Sequence, residues 1–223
     1  MEILKETVTD ADGNIYHTVR IGNQVWTTGN LRTTKYNDGT AIPLVTDKIA
    51  WSYLTTAAYC SYDNDESNMN KYGALYNWHA VNSGKLAPKC WHVPSDEEWD
   101  ILERHLIANG YNWDRTTEGN KIAKSLAAKM HWERATVPGT RVPGTIGYDL
   151  TENNRSGFSA LPGGHRGNEG GFHDIGSGGH WWSATENGAS RAYYRLLVYV
   201  SFDNLGRHDY YKSCGHSVRL LRD

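Results

Sequence analysis

The chain has 223 residues, with 23 Lys plus Arg against 25 Asp plus Glu, for a formal charge of -2. That balance gives no basic footprint for nucleic acid and no polybasic membrane patch. The longest apolar run, Leu196-Leu197-Val198-Tyr199-Val200, is far short of the roughly 20 residues that span a bilayer, so membrane insertion is excluded along with collagenous and disordered classes.

The first residues, Met1-Glu2-Ile3-Leu4-Lys5-Glu6, lack the apolar stretch of a secretory leader. Val8 to Asp10 then reads as strand, Asp12-Gly13 as a turn, and Ile15 to Ile21 as a second strand in period two, which predicts a hairpin. Gly22-Asn23 turns the chain into Gln24-Val25-Trp26, and Asp38-Gly39 marks a further turn. Lys71 to Asn82 places Leu75, Trp78 and Val81 at helical spacing, with Ser83-Gly84 as the stop. The clearest helix opens at Ser95, whose S-x-x-E pattern with Glu98 is a capping box, carries Trp99, Leu102 and Leu106 on one stripe, and ends near Asn109-Gly110. Asn120 to Lys129 predicts a third helix through Ile122, Ala123, Leu126 and Ala127.

From Val137 onward Pro and Gly break regular elements, and residues 163 to 179 read as a long turn-rich excursion. Short strands return over Ala192 to Phe202 and Ser217 to Leu221, on either side of a turn at Asn204-Leu205-Gly206. No linker divides the chain, which is read as one domain over residues 1–223. The rings are 14 Tyr and 9 Trp against 3 Phe, so most carry a polar handle suited to a core or a binding surface. Trp26, Trp78, Trp91, Trp99 and Trp182 are the expected core.

Chemistry-bearing strings are few. Neither a phosphate-binding G-x-x-x-x-G-K-[ST] nor G-x-G-x-x-G is present, and Ser177 misses the G-x-S-x-G elbow. His165, His173 and His180 fall within sixteen residues, but spacings of eight and seven across Gly-rich chain do not by themselves converge. They read as loop histidines bonded to backbone, and no metal is expected. Asp63 to Asn68 is oxygen-rich, yet positions six and twelve of the loop are Asn68 and Ala74, which excludes an EF-hand. Cys60, Cys90 and Cys214 contain no C-x-x-C, and one bridge or three free thiols fit equally. No cofactor is implied and no catalytic constellation is found, so the chain is expected not to be an enzyme.

Ordered strings then accumulate: Asp10-Ala11-Asp12-Gly13-Asn14, Ile21-Gly22-Asn23-Gln24-Val25-Trp26, Asn30-Leu31, Tyr72-Gly73-Ala74-Leu75-Tyr76-Asn77-Trp78, Trp91-His92-Val93-Pro94-Ser95, Gly157-Phe158-Ser159-Ala160-Leu161-Pro162-Gly163-Gly164, Trp182-Ser183-Ala184-Thr185-Glu186 and Ser217-Val218-Arg219. Together they resemble the Fibrobacter succinogenes major paralogous domain nearly end to end. The resemblance implies an α+β, C-type-lectin-like fold of the formylglycine-generating-enzyme type, with small antiparallel sheets, two or more helices and long irregular loops. The reactive cysteine pair of those enzymes is not matched, since only Cys214 lies in the C-terminal region. The calcium triplets of sugar-binding lectins are absent too.

Some proteins on this fold are targets of diversity-generating retroelements, which turn template AAY codons into NNY. NNY cannot encode Trp, Met, Glu, Gln or Lys, and from Asn187 to Asp223 the chain has none of the first four and only Lys212 of the fifth. The resemblance therefore implies a variable region over about 187–216. Its expected ligand-binding residues are Tyr194, Leu196, Val198, Ser201, His208, Asp209, Tyr210 and Tyr211 on one solvent-facing surface, with Arg195, Leu197 and Tyr199 pointing inward. The partner implied is a protein or glycan receptor met at a virion or cell surface. An enzyme, of the formylglycine-generating or another type, and a structural module of a surface or virion assembly are the alternatives.

Overall fold

Asp10 organises the first turn. Its carboxylate accepts hydrogen bonds from the amides of Asp12 and Asn14 and from the Tyr16 hydroxyl at 2.5 Å, while Gly13 takes φ 85° to close the reversal. The computed structural model describes residues 2–223. Around this turn β1 (Glu2–Thr9) and β2 (Ile15–Ile21) pair antiparallel, as the Asp-Gly signal predicts, and β3 (Gln24–Thr27) follows β2.

Next come α1 (Lys48–Ser52), β4 (Tyr59–Cys60), α2 (Glu66–Tyr72), β5 (Leu75–Tyr76) and α3 (Trp78–Val81). The helix expected over Lys71 to Asn82 is thus two short helices with a strand between them. Gly73 is the reason. It takes φ 86°, and a Cβ there would lie 2.6 Å from Asn30 Cβ and 2.9 Å from the Leu31 carbonyl oxygen. The chain is pressed against that loop, and Leu75 and Tyr76 leave helical geometry to pair with β4. Asn77 then restarts a helix by accepting a hydrogen bond from the Ala80 amide.

After β6 (Trp91–His92), α4 (Asp96–Ala108) forms as read. Ser95 Oγ accepts from the Glu98 amide at 3.2 Å, and the Glu98 carboxylate accepts from the Ser95 amide at 2.7 Å. Trp99, Leu102 and Leu106 are buried on its inner stripe. The expected third helix is reduced to α5 (Ala123–Leu126), because Ala127 is extended and bridges Ala160.

The Gly-rich stretch is three strands joined by two short turns, at 167–171 and 176–177, rather than one long loop. It contains β7 (Gly163–Arg166), β8 (Phe172–Ile175) and the start of β9 (Gly178–Glu186). A Cβ at Gly164 would meet the His173 carbonyl at 2.4 Å and the Tyr62 ring at 2.6 Å, so glycine there allows close approach. The last strands are β10 (Arg191–Val198), β11 (Gly206–Tyr211) and β12 (Leu221–Arg222). β10 stops short of the expected Phe202, and of Ser217 to Leu221 only the final residue is in β12; Ser217 is held by an isolated bridge to Trp181.

The order β1-β2-β3-β12-β6 makes one five-stranded sheet and β11-β10-β9-β7-β8 another, with β4-β5 as a small ribbon. All named pairs are antiparallel except β7 with β9, and the whole is α+β. One buried cluster joins Trp26, Trp99, Leu106, Phe158, Trp181 and Leu197. A second joins Tyr76, Trp78, Trp182, Ala192 and Leu220. Of the five Trp expected in the core, Trp26, Trp78, Trp99 and Trp182 are buried and Trp91 is half-buried at its margin. Cys60, Cys90 and Cys214 are all free thiols. Among the described residues no helix is long and apolar enough to cross a membrane.

Candidate functional site

β10 and β11 form the outer edge of the second sheet, and their register decides which side chains share a face. Tyr194 pairs with His208, Leu196 with Gly206, Ala192 with Tyr210, Tyr193 with Asp209 and Arg191 with Tyr211. Cross-strand partners lie on the same side. Tyr194, Leu196, Val198, His208 and Tyr210 therefore share one face. Asp209 and Tyr211 lie on the other, which corrects the single surface expected: consecutive residues of a strand alternate, so 208 to 211 cannot all point one way. Asp209 accepts from Arg191 Nη1 at 2.8 Å, and the Arg191 guanidinium sits 4.8 Å above the Tyr211 ring. Ser201 is exposed beyond the end of β10, with φ 74°.

Leu196, Val198, Gly206 and His208, with Phe202 and Asn204 from the connecting turn, line an open cleft of about 220 Å³. Phe202 is 61 % exposed beside it. Tyr194 is different from its neighbours on this face. Its ring meets His216 edge-on at 4.7 Å, stacks on His180 at 5.7 Å and touches Trp182 at 6.2 Å. Burial pushes its hydroxyl up to about 12. It is half core and half surface.

The reverse side of β10 is anchored. Arg195 is fully buried, with Nη2 2.9 Å from Asp96 Oδ1 and 2.6 Å from Asp100 Oδ1, and Arg207 holds the other Asp96 oxygen at 2.7 Å. Leu197 is buried, and Tyr199 packs half-buried against the same cluster. These bonds tie the strand to the first turn of α4.

The family model of the Fibrobacter succinogenes major domain matches residues 19–222. The chain belongs to that family. No curated protein and no solved structure matches it.

In this Fibrobacter succinogenes major domain, strings remote in sequence converge on one buried guanidinium. Arg219 donates to Asn30 Oδ1 at 2.7 Å, to the Thr27 carbonyl at 2.6 Å, and to the carbonyls of Phe158 and Ser159, each at 2.8 Å. Burial among neutral acceptors holds it down to about 9. Lys212, also buried, pairs with Glu186 at 2.8 Å and lies 4.6 Å over the Trp78 ring. Glu186 and Lys212 thus close the base of the β10–β11 hairpin.

The histidines expected in loops sit on three neighbouring strands. The ring of His165 on β7 lies 4.2 Å from that of His180 on β9 and 5.3 Å from that of His173 on β8. His216 completes the group, 5.4 Å from His180 and stacked on Trp182 at 4.1 Å. Asp174 bonds within this cluster, and burial lowers His180 to about 4. The oxygens near Asp63 serve local structure, with Asp65 capping α2 through the Ser67 amide. Phe202, Asp174 and His216 were missed from sequence, because each acquires its neighbours through register or from chain far away.

Proposed function

We propose that this family member is a non-enzymatic binding protein that presents a variable, tyrosine-rich surface to a protein or glycan receptor at a virion or cell surface. On this reading the scaffold is C-type-lectin-like and segment 187–216 is its changeable part, diversified by a retroelement. The carrying observation is the outer face of β10–β11. Leu196, Val198 and His208 line an open apolar cleft at a sheet edge, Tyr194 and Tyr210 share their face, and the strand is held from behind by the buried Arg195. Tyrosines on a rigid support give contact area at low entropic cost, since only two side-chain torsions must be fixed.

The codon pattern agrees with this geometry. Lys212 is the one residue from Asn187 to Asp223 that NNY cannot specify, and it is buried in the scaffold beside Glu186 and Trp78. The test is to sequence the gene and its surroundings from independent isolates. The reading expects a reverse transcriptase, a near-copy of the 3′ segment with AAY at the codons for the face residues, and variation confined to that face. Variation falling equally on Arg195, Leu197 and Lys212 would sink it.

A further inference from the structure

We propose that His165, Asp174 and His180 form a binding site for one divalent transition-metal ion of the zinc class. The inference stands apart from the receptor-binding reading, and it revises the expectation that no metal is held. His165 Nδ1 lies 3.3 Å and His180 Nε2 3.2 Å from the same oxygen, Asp174 Oδ2, and the three ligand atoms all fall within 4.8 Å of one another. Ligands bonded to a tetrahedral zinc at about 2.0–2.1 Å stand roughly 3.3 Å apart. The spacing between the carboxylate and each ring is already that of a first coordination sphere.

A hydrogen bond accounts for one of these contacts, His180 Nε2 to Asp174 Oδ2, but not for the other. His165 Nδ1 is buried and near Asp174, yet it makes no hydrogen bond of acceptable direction. His180 is 5 % exposed and its Nδ1 has no partner either, so moving its proton there to free Nε2 breaks no other bond. The two rings are 4.2 Å apart, and each presents a nitrogen to the same Asp174 oxygen. Two imidazoles and one carboxylate favour zinc, cobalt or nickel over the all-oxygen preference of calcium and magnesium.

Local backbone also serves this convergence. Asp174 takes φ 67°, a left-handed conformation uncommon for a residue other than glycine, and its carboxylate reaches both rings. A Cβ at Gly178 would come 3.2 Å from His180 Nε2 and 3.0 Å from Asp174 Cβ, so glycine keeps the space beside the ligand atoms open. Asp174 is half exposed, which leaves a solvent-side position for water or an exogenous donor. His173 is engaged by Glu169 at 2.7 Å and stands outside the triad.

The test uses untagged full chain stripped of metal by a chelator and titrated with cobalt(II), followed by visible ligand-field absorption, then with zinc in competition. The expected result is one ion per chain, displaced by zinc and untouched by calcium or magnesium. Outer-shell losses typically cost 10–100-fold in metal affinity, so Asp174→Asn and His165→Gln, which remove ligands, should each cost about 100-fold or more. His173→Gln should bind as the parent does. Asp174 is on the surface, and the urea midpoint of each variant verifies that the fold persists. Absence of saturable binding in the parent, or undiminished binding in folded Asp174→Asn and His165→Gln variants, overturns the proposal.

Discussion

Truncating Tyr194 separates its two roles, as core ring and as exposed face. A fully buried aromatic replaced by alanine costs about 3–5 kcal/mol. Tyr194 is half-buried against His216, His180 and Trp182, so Tyr194→Ala should cost about 2 kcal/mol. Tyr210 and Tyr211 are 38 % and 39 % exposed, with centroids 5.5 Å apart and the Arg191 guanidinium over the Tyr211 ring. Their double alanine variant should lose no more than about 1 kcal/mol in total, as for surface substitutions. Urea unfolding with a common m-value measures both. In a chain this long, 1 kcal/mol moves the melting temperature by about 2–4 °C, so Tyr194→Ala should melt roughly 4–8 °C lower. A double Tyr210/Tyr211 variant less stable than Tyr194→Ala would refute the assignment of Tyr194 as the anchor and of the two β11 rings, one on each face, as surface side chains.

Three further outcomes follow from the anchoring contacts. Arg195→Ala should cost about 3–5 kcal/mol, because it strips the buried Asp96 of one of its two arginines; a loss below about 1 kcal/mol in chemical denaturation would contradict that role. Ser95→Ala should cost about 1 kcal/mol by removing half of the capping box, measured by the same unfolding curves. The carboxylate of Glu98, 2.8 Å away, raises the pKa of His92 to about 9, with Asp223 adding to the effect. Its stabilisation is therefore complete below the unfolded value near 6.5 and disappears as pH rises through about 9. Because the pair is about a third exposed, the parent should lose no more than about 1 kcal/mol across that window relative to His92→Gln, and parallel pH profiles would exclude the linkage.

What could be read from sequence was what short-range physics decides. The Asp10–Asn14 turn and the Ser95–Glu98 cap are local, and both formed as read. The stretch around Gly73 was not legible, because its helical spacing is overridden by contact with Asn30 and Leu31 more than forty residues earlier. The glycines from 163 to 179 looked like turn formers; their use in close approach of strands to Tyr62 and His173 depends on tertiary neighbours. Alternation along β10 was legible: Leu196 lines the cleft, and its neighbours Arg195 and Leu197 are buried. It did not reveal that Tyr194 anchors on rings from β9 and the C-terminal segment. Asp174 joined the histidines only through a left-handed backbone that no residue pattern announces.

The ion pair between Glu186 and Lys212 has a topological consequence for everything between them. The ends of the intervening segment are held together by the frame, so the entropy of closing that loop is supplied outside the loop itself. For a flexible segment, each doubling of length then adds only about 0.6 kcal/mol of closure cost. Exchange or lengthening of the outer turn around Phe202 and Asn204 is therefore expected to leave the Glu186–Lys212 pair in place.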